Sequence, residues 1–209
     1  MTGHGRFITL EGGEGTGKST QARRLAEALR TAGHEAVLTR EPGGSPGAED
    51  IRQLLVTGET DRWTPLTETL LLFAARADHL ARTIHPALAR GAWVVSDRFF
   101  DSTRAYQGAA QGVPDATIDA LIAMVAADAR PDLTLVLDLP AQEGLARAAA
   151  RGPAQRYERF GAGFHAALAE RFRAIAAAEP ERCVLIDASG SADEVAARIW
   201  AAVTTRLTP

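Results

Sequence analysis

Residues 6–20 read "RFITLEGGEGTGKST", and the order of residue types in this stretch decides the fold. The apolar run "RFITLE" (6–11), bounded by charge, reads as a short buried strand. It passes into Gly12, four further residues and then Gly17-Lys18-Ser19, after which a helical period begins. Strand, glycine loop and helix in that order make a phosphate cradle. Glycines let backbone N–H groups converge on phosphate oxygens, and the new helix presents its positive end to them. In such a cradle Gly12, Gly13, Glu14, Gly15, Thr16, Gly17 and Thr20 surround a nucleoside triphosphate. Lys18 reaches its β- and γ-phosphates, and the Ser19 hydroxyl binds Mg²⁺.

Further apolar runs follow at 35–40, 92–97, 133–139 and 183–188, separated by segments of helical period near 18–32, 46–57, 66–90, 115–127, 141–151, 164–178 and 191–206. Most of the runs are apolar on both faces, as buried parallel strands are, and the connections are long enough for right-handed crossovers. The expected fold is α/β: one P-loop domain over 1–209, with a five-stranded parallel sheet and helices on both faces. The stretch "ARGPAQRYERFGAG" (150–163) has no apolar period and is rich in Gly and Arg, which reads as a mobile lid.

Composition narrows the partners. With 23 Lys+Arg against 26 Asp+Glu, the formal net charge is −3, so no basic excess draws the chain to nucleic acid or anionic lipid. The single cysteine, Cys183, excludes an internal disulfide and fits a reducing compartment, with the cytoplasm the expectation. "MTGHGRF" lacks a basic-then-apolar leader, and no apolar run approaches the ~18 residues that span a bilayer. His34, His79, His85 and His165 have no metal-ligand spacing.

A triphosphate cradle serves switches, motors and kinases alike. The Asn/Thr-Lys-x-Asp motif of guanine-nucleotide switches is absent, and the third strand ends in Asp97-Arg98 rather than in Asp followed by a water-activating Glu. Arginine is no base, but it holds anions, which points to an acceptor phosphate beside the Mg²⁺.

The segments "TREPGG" (39–44), "ETLLLFAARADHL" (68–80) and "DRFFDSTRAYQG" (97–108), taken with the phosphate loop, resemble bacterial thymidylate kinases over nearly the whole chain. The resemblance implies ATP as phosphate donor with Mg²⁺, dTMP as acceptor, transfer giving ADP and dTDP, and a homodimer. It implies that Arg98 and Arg52 hold the acceptor phosphate, with Arg40, Glu41 and Pro42 shaping the same pocket. Asp97 would orient the Mg²⁺ shell or the attacking phosphate, and Arg76 would read the thymine edge. Ser102, Thr103 and Gln107 would be polar contacts to the base, Tyr106 would lie under the deoxyribose, and Glu14 would lie near the acceptor sugar. The family pattern places a stacking Phe four residues before the arginine. Here that place holds Leu72, and the aromatic is Phe73, so either residue is a candidate for the base contact.

Some members of the family carry an arginine inside the phosphate loop, whereas this chain has Glu14-Gly15-Thr16 there. The resemblance therefore moves the catalytic cations to the lid, with Arg151 and Arg156 acting in transfer, Arg147 a platform against adenine and Arg159 a solvated bystander. Two rivals stay open at this point: a kinase for another monophosphate, such as dUMP or a purine nucleotide, and a nucleotide-dependent switch.

Overall fold

In the computed structural model, which describes residues 5–150 and 156–207, five parallel strands stand in the order β2-β3-β1-β4-β5. They are β1 (Phe7–Glu11), β2 (Ala36–Arg40), β3 (Trp93–Asp97), β4 (Leu133–Asp138) and β5 (Cys183–Asp187), each within one residue of its expected bounds. The register sets both Leu10 and Arg40 opposite Asp97, and Asp138 opposite Asp187. All carboxyl ends therefore finish along one edge of the sheet, and the loops that carry the charged motifs gather there.

Alternation along the strands splits the core. Ile8, Leu10, Val95 and Leu135 face α1 (Lys18–Thr31) and α9 (Ala192–Leu207), whose Leu25, Leu29, Ile199 and Val203 cover them. Phe7 and Val94 face the other way, against Leu80, Ile84, Phe99 and Phe100. β1, β3 and β4 are covered on both sides, which is why they read as nearly continuous apolar runs. The edge strands β2 and β5 leave Leu38 and Leu185 exposed.

The helices α2 (Pro46–Val56), α6 (Asp115–Val125), α7 (Ala141–Ala149) and α8 (Ala162–Ala178) follow the expected pattern. Two segments depart from it. The single helix expected over 66–90 is α3 (Pro65–His79), a π-helical turn (Leu80–Ile84) and α4 (His85–Ala89), with the His85 N–H reaching back to Leu80 O. Pro86 supplies the reason, because it has no N–H to donate and its ring would crowd the carbonyl four residues back; the wider turn relieves that contact. The second departure is a helix where none was expected, α5 (Phe100–Thr103) running into a π-helical turn (Arg104–Ala110). A π turn shifts the residues per turn, so the 3.6 period that would have announced it is lost.

Of the stretch expected to form a lid, residues 151–155 lie outside the described residues, Arg151 among them. Arg156–Arg159 form a 3₁₀ turn, and α8 begins at Ala162, two residues earlier than expected.

Candidate active site

β1 delivers the chain into the phosphate loop, and α1 leaves it. Gly17 caps the helix in the left-handed region (φ 90°), where a side chain would be strained. Gly15 (φ 69°) lies against the Gly144 carbonyl of α7, leaving no room for a Cβ. The Lys18 ammonium donates to Gly13 O (2.6 Å) and to Thr16 Oγ1 (3.3 Å), and Thr16 Oγ1 donates to Gly13 O (3.0 Å). Burial and the neighbouring Arg98 bring the Lys18 pKa down to about 8, against the opposing pull of Glu14 and Asp97. On the first turn of α1, where Ser19 and Thr20 are exposed, Ser19 Oγ donates to Asp97 Oδ2 at 2.5 Å. This pair of hard oxygen donors fits a small divalent cation whose other ligands are phosphate and water.

Arg98, just after β3, has φ 75°, the only positive φ outside glycine among the described residues. Its surroundings over-determine that conformation. Arg98 N–H donates to Leu10 O (2.9 Å), Ser96 Oγ donates to Arg98 O (2.8 Å), and the next amide, Phe99 N–H, donates to Glu11 Oε1 (2.8 Å). The turn aims the guanidinium back across the phosphate loop. Nη2 donates to Glu14 Oε1 (2.9 Å) and Tyr106 OH (2.8 Å), and Nη1 donates to Ser102 Oγ (3.0 Å). Tyr106 OH in turn donates to Glu14 Oε1 (2.7 Å). Burial alone would raise the Glu14 carboxyl, but Arg98, Lys18 and the Tyr106 hydroxyl outweigh it and hold the pKa at about 2.

Glu11 supports this turn and is absent from the residues singled out by sequence. Its second oxygen accepts from Ser102 Oγ (2.6 Å). Burial and the charge of Asp101 push its pKa up to about 8, in spite of Ser102 and Arg98. The available signal was a glutamate closing a strand otherwise buried on both faces.

On the acceptor side, the REPGG turn and α3 form a buried chain of polar contacts. Thr39 Oγ1 meets His79 Nε2 (2.6 Å), His79 Nδ1 meets Glu41 Oε1 (3.0 Å), and Arg76 Nε donates to Glu41 Oε2 (2.8 Å). Arg76 Nη2 reaches Thr103 Oγ1 (3.2 Å), while Nη1 is buried without a partner. The Glu41–Pro42 peptide is cis. Arg52 Nη1 donates to Pro42 O (2.7 Å), and Arg40 pairs with Glu49 (3.1 Å).

A cleft of about 570 Å³ joins Lys18 and Ser19 of the phosphate loop to Arg40, Glu41, Pro42, Arg52, Arg76, Arg98, Ser102, Thr103, Tyr106 and Gln107. Most candidate residues of both halves thus share one cavity, whereas Gly12, Gly13, Thr16, Thr20 and Arg147 do not line it. Helix phase decides between the two candidates on α3: Leu72 lines the cleft, whereas Phe73 packs behind it with Val113 and Ile118, its ring 4.6 Å from the Arg76 guanidinium. Phe73 is thus corrected from a base contact to a support for Arg76. Phe99, which sequence reading passed over inside "DRFF", lines the cleft as well, alongside the rings of Tyr106 and Tyr157.

Among the described residues, the arginines in and beside the stretch expected to form a lid separate. Arg156 does not line the cleft. It is 1% exposed, pairs with Glu68 on α3, and donates to the carbonyls of Glu59 (2.9 Å) and Thr60 (2.7 Å). A transfer role expected for it is corrected on that ground, since its charge is already neutralised away from the cleft. Arg147, half-buried near the end of α7, donates to Glu143 (2.6 Å) and to Ala188 O (3.2 Å), in the loop that follows β5. Arg159 reaches Glu59 (3.4 Å) at the surface.

A family model described as thymidylate kinase matches residues 10–199. The chain is 58% identical over 203 residues to a thymidylate kinase of Caulobacter vibrioides, covering 97% of this chain and 98% of that one. It is 53% identical over 211 residues to a thymidylate kinase of Bradyrhizobium diazoefficiens, covering 100% and 92%. Among solved structures, a thymidylate kinase from Ehrlichia chaffeensis matches with a TM-score of 0.76 and 33% identity, over 96% of this chain and 99% of that one.

Proposed function

This chain belongs to the thymidylate kinase family, and from that premise we propose how its own residues carry ATP-dependent phosphorylation of dTMP to dTDP, a step in making dTTP. The observation that carries the acceptor assignment is the buried Nη1 of Arg76, a donor without an acceptor on a residue that lines the cleft. A buried guanidinium N–H left unpaired is costly, and the C4 carbonyl of a thymine base supplies the missing acceptor.

The phosphate of dTMP, held by Arg98 and Arg52, attacks the γ-phosphorus of ATP in line. The bond from that phosphorus to the β–γ bridging oxygen breaks, and ADP leaves. The loop amides and Lys18 hold the donor, and Tyr106 closes the space that a 2′-hydroxyl would need. When bound, Mg²⁺ neutralises charge on the β- and γ-phosphates, and Ser19 with Asp97 would hold it. With Arg156 committed to Glu68, Arg151 is the lid cation assigned to the transfer step.

We further assign the protein to the cytoplasm and to a homodimer. No described helix is long and apolar enough to cross a membrane. Leu66 and Leu70 on α3 are half exposed and Met124 on α6 is 79% exposed, which gives an apolar surface suited to a second copy.

ADP release measured with dTMP, dUMP, AMP and GMP as acceptors tests the reading. dTMP should be turned over fastest, and ATP consumption without any acceptor should be slight. A preference for a purine acceptor, or hydrolysis indifferent to acceptor as in a switch, would overturn it.

A further inference from the structure

Gln107 lines the cleft from the π-helical turn, and its Nε2 donates to Glu68 Oε1 at 2.7 Å. Gln111 Nε2 donates to the same oxygen at 3.0 Å. The other carboxylate oxygen of Glu68 pairs with Arg156, whose fork is fixed by the Glu59 and Thr60 carbonyls. Glu68 is fully buried and Arg156 nearly so.

The two ends of a glutamine amide have almost the same shape, so packing alone does not choose between them. A carboxylate ion-paired with a guanidinium does choose, because it can only accept. Against Glu68 the NH₂ end of Gln107 is the only one that fits, and the carbonyl end is left for the cleft.

We propose that the Glu68–Arg156 pair is a specificity device: it holds the Gln107 amide with its carbonyl toward the base, where it accepts a ring N–H. This rests on reading the cleft as the dTMP site. Thymine offers an N3–H beside its C4 carbonyl, so Gln107 accepting and Arg76 donating match that edge together. Cytosine presents an acceptor at N3 and an amino group at C4, and meets both protein groups with the wrong polarity. Glu68 and Arg156 touch neither substrate; they are positioning residues that act through Gln107.

Steady-state kinetics of the full chain with dTMP and dCMP test this. In Glu68→Gln the partner of Gln107 can donate or accept, so the Gln107 amide is free to turn over. The kcat/KM ratio of dTMP to dCMP should fall about tenfold or more, the size seen when a buried polar contact is mispaired, with the change carried mainly by KM. Arg156→Lys keeps a cationic donor facing Glu68 and should retain the ratio. A purely structural role would lower both substrates together, and an unchanged ratio in Glu68→Gln would overturn the proposal. If that variant does not fold, the double variant Glu68→Gln with Arg156→Met, which removes both charges at once, carries the same test. A wild-type protein with no preference for dTMP would instead remove the reading beneath it.

Discussion

Lys18 has its ammonium held by Gly13 O and Thr16 Oγ1, and its pKa is brought down to about 8 by burial and Arg98. A triphosphate adds negative charge around it and favours the protonated form, so binding takes up a proton once the pH approaches 8. ATP affinity should be level near pH 7 and weaken by up to about tenfold per pH unit above 8, with proton uptake visible by calorimetry in buffers of different ionisation enthalpy. Affinity unchanged from pH 7 to 9.5 would contradict this. The same group affects folding with the opposite sign. An unfolded lysine keeps its proton to about pH 10.4, so between pH 8 and that value the unfolded chain binds more protons, and this residue's contribution to stability rises with pH. Lys18, Arg76 and Arg98, which the structure gathers round the cleft, were legible because the chemistry expected of them dictates their spacing. Glu11, His79 and Glu68 were not, because they act on other side chains or on a backbone turn. Arg156 misled because a Gly- and Pro-containing stretch looks mobile, and its carboxylate partner lies 88 residues away in sequence.

The contact between the phosphate loop and α7 is backbone against backbone at Gly15 and Gly144. Gly15→Ala should cost about 1–3 kcal/mol, through a collision with the Gly144 carbonyl and a left-handed φ that alanine resists, and should raise the KM for ATP. Gly13→Ala meets nothing within 4 Å and should change stability far less. Thermal unfolding of the two variants side by side measures the difference; equal Tm values would mean that the loop and α7 are not in that contact. At this scale β1, β3 and β4 could be read to within a residue because burial on both faces leaves a nearly continuous apolar run. The π turns could not, since one breaks a long helix at Pro86 and the other erases the period of the helix that carries Thr103, Tyr106 and Gln107. Thr103, Tyr106 and Gln107, which line the cleft, could therefore be singled out one by one, while the element that presents them could not.

For the molecule as a whole, the apolar surface of α3 and α6 sets the expected assembly. The wild-type chain should sediment as a dimer at micromolar concentration, and Leu66→Glu with Leu70→Glu should shift it to a monomer without loss of helical content; a monomeric wild type would remove the proposal. Charge is arranged on the same scale. The chain is net −3, and three of its cleft arginines sit beside acids of their own: Arg40 with Glu49, Arg76 with Glu41, Arg98 with Glu14. At Arg98 the cleft therefore behaves as an ion exchanger and not as an ion sink. An incoming anion must displace Glu14, and replacing one carboxylate with another gains almost nothing. A phosphate brings further charge and an additional acceptor oxygen to the same fork, and so gains on the exchange. Carboxylic acids in the surrounding solution have little hold on this guanidinium, and discrimination between the two kinds of anion is set before any base is read.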